Sequence, residues 1–201
     1  LYKHTDLLEI AAHAGVPVIN ALTDEEHPCQ ALSDLQTMKE HGKLKAGAKF
    51  AFVGDCGFNM ANSLTLACTK AGMEVVLVCP KGYPPKEKYL EEAKKFGKVE
   101  VCNDPAQGVK DADVVYTDTW ISMGLEDEKA DRTKAFMPFQ VNDALLSHAK
   151  KDCIVMHCLP AHRGVELTNE VIDGRHSVVW DQAENRLHMQ KAIILKLMGK
   201  A

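Results

Sequence analysis

The sequence is short of the features that would mark it for a membrane, a nucleic acid or an oxidising compartment. No apolar run approaches the roughly 20 residues that span a bilayer. Lys and Arg total 24 against 28 Asp and Glu, a formal charge of −4. So even a balance leaves no basic footprint for a phosphate backbone, which argues against nucleic acid as a partner. There are 7 cysteines, an odd number, and none stand in Cys-x-x-Cys spacing. Most lie in apolar stretches, which fits reduced thiols and a cytoplasmic location better than a disulfide framework. Internal repeats and low-complexity tracts are absent. The opening Leu1-Tyr2-Lys3 is neither a signal peptide nor an initiator methionine, which suggests a fragment or a processed chain.

What is present is a soluble α/β pattern. A length of 201 residues suits one large domain or one domain with appendages. Residues 5–14 read as a short helix capped by Thr5 or Asp6. A second helix starts at Pro28, whose fixed φ suits a first helical position, and stops at Gly42. Lys49 to Asp55 is a strand, Met60 to Ala71 a helix and Met73 to Cys79 a strand. That βαβ unit implies a parallel pair with a right-handed crossover. A charged helix over 84–96, a strand over 98–102 and a short helix over 104–109, with Asn103 as its cap, follow. Further strands are expected over 111–117 and 153–156, and a last short one over 177–180. The charged run 126–134 reads as a solvated loop or helix, and 165–172 as a short helix. Asp181 and Glu184 have the spacing of a capping box at the head of a final helix. That places Arg186 in the first turn, where a cation opposes the helix dipole and calls for a partner charge or a bound anion. Together these elements predict a Rossmann-like three-layer α/β domain: a mainly parallel sheet of about five strands with helices on both faces.

In such sheets ligands bind beyond the carboxyl ends of the strands. Three strand tips carry polar groups there: Asn59 after the first, Asp118 and Ser122 after the fourth, His157 and Cys158 after the fifth. An amide, a carboxylate, a hydroxyl, a thiol and an imidazole suit a small zwitterion. Asn59 could equally be an N-cap. His27 and Gln30 sit at a helix N-terminus, which favours an anion; an ordinary His-Pro turn is the alternative. Gly54-x-x-Gly57 is not Gly-x-Gly-x-x-Gly, and Cys79-Pro80-Lys81 stands where a ribose-binding acid would be, so a dinucleotide is not expected. No Gly-x-Ser-x-Gly elbow supports a serine hydrolase. A zinc site built from His157, Cys158 and His27 lacks a matching spacing, and no metal is expected.

Five segments in register resemble the ornithine carbamoyltransferase branch of the aspartate/ornithine carbamoyltransferase family. They are His27-Pro-Cys-Gln30, Gly54-Asp55 with Asn59-Met-Ala-Asn-Ser63, Asp118-Thr-Trp-Ile-Ser-Met-Gly124, His157-Cys-Leu-Pro160 and Glu184-Asn-Arg186. Each is weak alone; together, in the family's order, they span nearly the whole chain. The resemblance implies transfer of a carbamoyl group from carbamoyl phosphate to the δ-amine of L-ornithine, giving L-citrulline and phosphate without a cofactor. It assigns Asn59, Asp118, Ser122, Met123 and the Leu159 carbonyl to ornithine. It assigns His27, Gln30, Cys158 and Arg186 to carbamoyl phosphate, with Asp118, Cys158, Arg186 and His27 in catalytic roles. A non-catalytic amino-acid-binding domain or a shortened paralogue is the alternative.

The departures from the family pattern carry their own expectations. The family's Ser-x-Arg-Thr-Arg phosphate motif does not occur, so the N-terminal carbamoyl-phosphate domain is expected to be missing. Residues 1–26 would be its remnant, 27–181 the ornithine-binding domain, and 182–201 a C-terminal helix packing toward the missing part. By resemblance the whole enzyme is a homotrimer or a multiple of trimers, and this chain alone is expected to be nearly inactive. The Cys56-Gly57-Phe58 turn also differs from the Asn-containing versions more usual in the family.

Overall fold

A computed structural model describes residues 1–121 and 126–200. A five-stranded sheet in the order β3-β2-β1-β4-β5 forms the centre. Its strands are β1 (Lys49–Val53), β2 (Glu74–Val78), β3 (Val99–Cys102), β4 (Val114–Thr117) and β5 (Ile154–His157). Every pairing is parallel. Helices α1 (His4–His13), α2 (Pro28–Glu40), α3 (Asn59–Lys70), α4 (Glu87–Lys94) and α5 (Pro105–Val109) precede β4. After it come α6 (Lys129–Phe136), α7 (Asp143–Leu146), α8 (Asn169–Ile172) and α9 (Val179–Leu197). The expected Rossmann-like architecture is therefore the one observed.

The alternation of side chains along each strand explains the layers. Phe50 and Phe52 of β1 join Tyr116 and Met156 in one apolar cluster, with Met38, Met60 and Leu64 from the helices above. Ala51 and Val53 join Val115 and Val155 on the opposite face, with Val109, Leu145 and Ile172. Phe50 and Phe52 are essentially inaccessible, and full burial of each is worth about 2–3 kcal/mol. Gly108 lets α5 lie on β2: a Cβ there would sit 2.5 Å from Val78 Cγ2.

Five local readings need correction. Residues 177–180 form no strand: Ser177 makes one bridge with Val155, and α9 already starts at Val179. Asp181 is therefore inside the helix, where it bonds His41 at 2.8 Å, and is no N-cap. The α5 cap is Asp104, which accepts from the Gln107 N–H, while Asn103 donates to the Cys79 carbonyl. Lys3, not Thr5 or Asp6, occupies the α1 cap position. Helix α8 is confined to Asn169–Ile172, because the preceding residues form bridges from Leu167 to Val141 and Arg163.

The charged run 126–134 is also not simply solvated. Arg132 is 3% exposed. Its Nε donates to the Trp120 carbonyl at 2.6 Å and its Nη2 to Asp55. Its guanidinium lies 4.9 Å from the Tyr83 ring centroid and 5.2 Å from that of Phe136. A planar cation can stack and donate at once. Arg132 thus ties α6 to the tips of β1 and β4.

Candidate functional site

Val53 of β1, Thr117 of β4 and His157 of β5 are register partners across adjacent strands. The residues that follow them emerge level with one another. The chain winds outward from β1 in both directions, so the crevice opens between β1 and β4. Gly57 makes the first tip possible: its N–H donates to Asp55 Oδ1, and an added Cβ would lie 3.0 Å from the Pro84 carbonyl. The turn delivers Asn59 as the first residue of α3, with Phe58 at the cap.

A cavity of about 300 Å³ lies over these tips. Asn59, Asp118, Cys158 and Leu159 line it from the strand side. His27 and Gln30 enter from the start of α2, and Arg186 from α9. Seven of the residues singled out in the sequence therefore share one cavity. His157, also singled out, is 0% exposed and stands behind the lining, and Ser122 and Met123 lie outside the described residues.

Asn59 does not cap its helix; its Nδ2 donates to the Thr23 carbonyl at 2.7 Å, which fastens the loop before α2 to the site. One amide N–H and the amide oxygen remain for other partners. The Cys158 thiol donates to Asp118 Oδ1 at 3.0 Å, and the Thr119 N–H donates to the same oxygen at 2.7 Å. Burial and then the Asp118 carboxylate push the Cys158 thiol well above the usual thiol range. A thiol held protonated is neither a ready nucleophile nor a ready metal ligand. Burial also raises Asp118, against the opposing influence of His157 and the thiol.

Asp118, His157 and Cys158 offer potential ligand atoms that lie within 4.8 Å of one another. Yet the ring of His157 is already committed on both nitrogens. Nδ1 accepts from the Leu159 N–H at 2.8 Å, and Nε2 faces Glu166 Oε1 at 3.2 Å. The donor set as folded is therefore a hydrogen-bonding one.

His27 is the N-cap residue of α2, and its own N–H donates to Ser63 Oγ at 2.8 Å. Burial, helped by the Arg186 cation, lowers its imidazole to about 4. It is neutral at pH 7, with Nδ1 buried and unpartnered among the described residues. A neutral ring keeps a single N–H, for which the Ala21 carbonyl is a backbone partner, and brings no charge of its own to the cavity.

Arg186 departs from the expectation in two ways. Because α9 begins at Val179, it lies beyond the first turn, and no dipole penalty applies there. Its Nη1 donates to Gln30 Oε1, a neutral amide rather than a partner charge, while Glu184 lies 3.7 Å from His188.

Behind the cavity is a buried network that the sequence reading missed. Asp34 Oδ1 accepts from Gln30 Nε2 and from Gln182 Nε2, both at 2.8 Å. Asp34 Oδ2 accepts from the Tyr116 hydroxyl at 2.9 Å. Gln182 Oε1 accepts from the His157 N–H at 2.9 Å. Asp34 is 0% exposed, and burial raises its carboxyl to about 6 despite these donors and Arg186. A signal for it existed. Gln30, Asp34 and Thr37 recur at i, i+4 and i+7, a polar stripe on the buried face of α2. Gln182, Asn185 and Arg186 form the matching stripe on α9; Asn185 reaches Thr37 Oγ1 at 3.0 Å.

Comparisons with known proteins give the chain its relatives. Residues 46–197 match the family model "Aspartate/ornithine carbamoyltransferase, Asp/Orn binding domain". Residues 1–40 match "Aspartate/ornithine carbamoyltransferase, carbamoyl-P binding domain". The anabolic ornithine carbamoyltransferase of Pyrococcus furiosus is 52% identical over 204 residues, 99% of this chain and 64% of the relative. That of Methanosarcina acetivorans is 54% identical over 197 residues, covering 98% of this chain and 65% of the relative. The solved P. furiosus structure superposes with a TM-score of 0.93 at 52% identity, over 100% of this chain and 65% of that one. The anabolic enzyme of Campylobacter jejuni gives 0.94 at 40% identity, over 100% of this chain and 68% of that one. The chain thus spans 64 to 65% of the length of these two curated relatives. With both domain models matched and identities above half, the chain belongs to the aspartate/ornithine carbamoyltransferase family.

Proposed function

We propose that this chain supplies the ornithine side, and part of the carbamoyl side, of a site that transfers a carbamoyl group from carbamoyl phosphate to L-ornithine. One observation carries the reading. A single cavity brings an amide and a carboxylate, Asn59 and Asp118, within the same walls as His27, Gln30 and Arg186. The first pair suits the α-amino and α-carboxylate groups of an amino acid. The second set offers donors to a carbonyl oxygen. Ser122 and Met123 belong with Asn59 and Asp118 on this reading, and the Leu159 carbonyl and Cys158 lie where the two substrates meet.

The chemistry follows from these positions. An amine with a pKa near 10 must shed a proton before it attacks. Its nitrogen then bonds to the carbamoyl carbon as the bond from that carbon to the phosphate oxygen breaks. The departing phosphate is a base the substrates themselves bring, and it takes the second amine proton. Negative charge grows on the carbamoyl oxygen, where donors held in place lower the barrier. Neutral His27 and cationic Arg186 are those donors, with Gln30 orienting Arg186. Cys158, kept as a thiol, lines the junction. No step calls for a metal or an organic cofactor.

On this reading residues 1–26 serve as part of a carbamoyl-phosphate domain, 27–181 as the ornithine domain and 182–201 as the helix that packs back on the former, while the carbamoyl-P domain model runs on to residue 40 and the Asp/Orn domain model to residue 197. The whole enzyme is a cytoplasmic homotrimer, or a multiple of one, in which a neighbouring subunit completes each site. Among the described residues no helix is long and apolar enough to cross a membrane. The isolated chain is expected to be nearly inactive in a citrulline assay. Turnover near a typical ~10 s⁻¹ would refute the division of the site. Calorimetry tests the ornithine half directly: Asp118→Ala should weaken ornithine binding, and equal affinity in the variant would remove Asp118 from the site.

A further inference from the structure

The tip after β5 is held by a carboxylate that the mechanism above does not use. Glu166 and His157 are both 0% exposed. The Leu159 N–H donates to His157 Nδ1 at 2.8 Å, so Nδ1 is the unprotonated nitrogen. The ring proton therefore resides on Nε2, which faces Glu166 Oε1 at 3.2 Å. The same oxygen accepts from the His162 N–H. One buried oxygen thus clasps both ends of the segment 157–162.

The segment needs such a clasp. Leu159 has a φ of +57°, the left-handed region, which crowds the Cβ of an L-residue against the following carbonyl oxygen. Its N–H finds its acceptor in the His157 ring only in one tautomer. If the ring flipped or took the other tautomer, Nδ1 would carry a proton and could not accept. The Leu159 turn would lose the bond that holds it. Residues 158–160 all line the cavity, so the aim of this wall depends on the ring.

We propose that Glu166 is a positioning residue: by fixing the His157 tautomer it sets the left-handed turn that presents Cys158 and Leu159 to the ornithine site. The inference takes this tip as one wall of the site proposed above. Glu166 itself touches no substrate; it acts through His157 and the His162 backbone. Its other oxygen, Oε2, is buried without a partner among the described residues, which is a cost that packing alone would not retain.

The test uses Glu166→Leu, Glu166→Gln and the unaltered chain. Long-range ¹H–¹⁵N spectra read the His157 tautomer, and calorimetry reads ornithine affinity. The unaltered chain should show the Nε2–H form. The Leu variant removes the acceptor at nearly constant volume. It should lose the single tautomer and bind ornithine roughly tenfold more weakly, the worth of about one hydrogen bond. The Gln variant keeps an oxygen acceptor and should restore both readouts to within about threefold of the unaltered chain. A merely structural role would not make affinity and tautomer move together and return together. An Nδ1–H ring in the unaltered chain overturns the proposal, as does a Leu variant with unchanged tautomer or affinity. If the unaltered chain does not bind ornithine, the function proposed above fails, and the tautomer readout alone decides this inference. If the Leu variant does not fold, the unaltered and Gln chains still decide it: an Nδ1–H ring in either overturns the proposal.

Discussion

Replacing Asp34 by asparagine should unmask a pH dependence that the unaltered chain conceals. Two buried groups behind the cavity titrate with opposite effects on stability. The Asp34 carboxyl is raised to about 6 by burial. A raised carboxyl stabilises the fold below its unfolded value near 3.9 and loses that contribution as pH rises through 6. The His27 imidazole is lowered to about 4. A lowered imidazole stabilises the fold above its unfolded value near 6.5 and loses that contribution as pH falls through 4. Between pH 4.5 and 6.5 the Asp34 contribution falls by about 2 kcal/mol while the His27 contribution rises by about 2 kcal/mol. In the unaltered chain the two slopes nearly cancel. Asp34→Asn leaves the His27 slope, so its stability relative to the unaltered chain should rise by about 2 kcal/mol over that interval. His27→Gln should show the reverse, a fall of about 2 kcal/mol. Urea unfolding at the two pH values, followed by the fluorescence of the buried Trp120 and the exposed Trp180, reads both. Taking each variant against the unaltered chain cancels the surface carboxylates. Profiles parallel to that of the unaltered chain would refute the electrostatic account of the network. At pH 7 the asparagine also disrupts the Tyr116 bond: its Nδ2 must donate to the hydroxyl, whose own proton then lacks its acceptor.

Three further outcomes are expected. Arg132→Ala leaves the Asp55 carboxylate and the Trp120 carbonyl without their donor and should cost about 3–5 kcal/mol in urea unfolding; a change under 1 kcal/mol would mean the ion pair is not buried in solution. Gly108→Ala drives a Cβ to 2.5 Å from Val78 Cγ2 and should destabilise by about 1–3 kcal/mol, with an unchanged melting temperature counting against the close α5–β2 contact. Cys158 should alkylate slowly with iodoacetamide at pH 8, and Asp118→Asn should accelerate it by roughly tenfold, one pKa unit's worth; mass spectrometry of the labelled peptide would expose an unaffected rate.

Much of this molecule is legible in one dimension because the forces that make it are local and periodic. The continuous apolar strands Phe50–Val53, Val75–Val78 and Ile154–Met156 must be covered on both faces, which dictates a parallel, helix-flanked sheet. Pro28 marks a helix start because its ring already has the right φ. The polar residues just after β1, β4 and β5 are conspicuous because they interrupt such runs. Parallel winding then places them on one edge, and Asn59, Asp118 and Cys158 do line one cavity. Where local signals competed, the reading failed. Asp181 and Glu184 have the spacing of a cap, but packing of Val179 into the core starts the helix three residues earlier.

What only the tertiary structure decided is who answers whom across the chain. Arg186 meets Gln30 and Gln182 meets Asp34, over separations of 156 and 148 residues. No i+4 rule reaches that far. Buried charge adds a second reason: whether Asp34 or Arg132 is a solvated surface group or an internal clasp depends on what covers it, and desolvation is a property of the whole fold. The clasp of Glu166 on His157 belongs to the same class. The sequence by itself determined the sheet, its direction and the edge where ligands gather. The packing of α9 on α2, and the turn of one buried imidazole, decided what that edge presents.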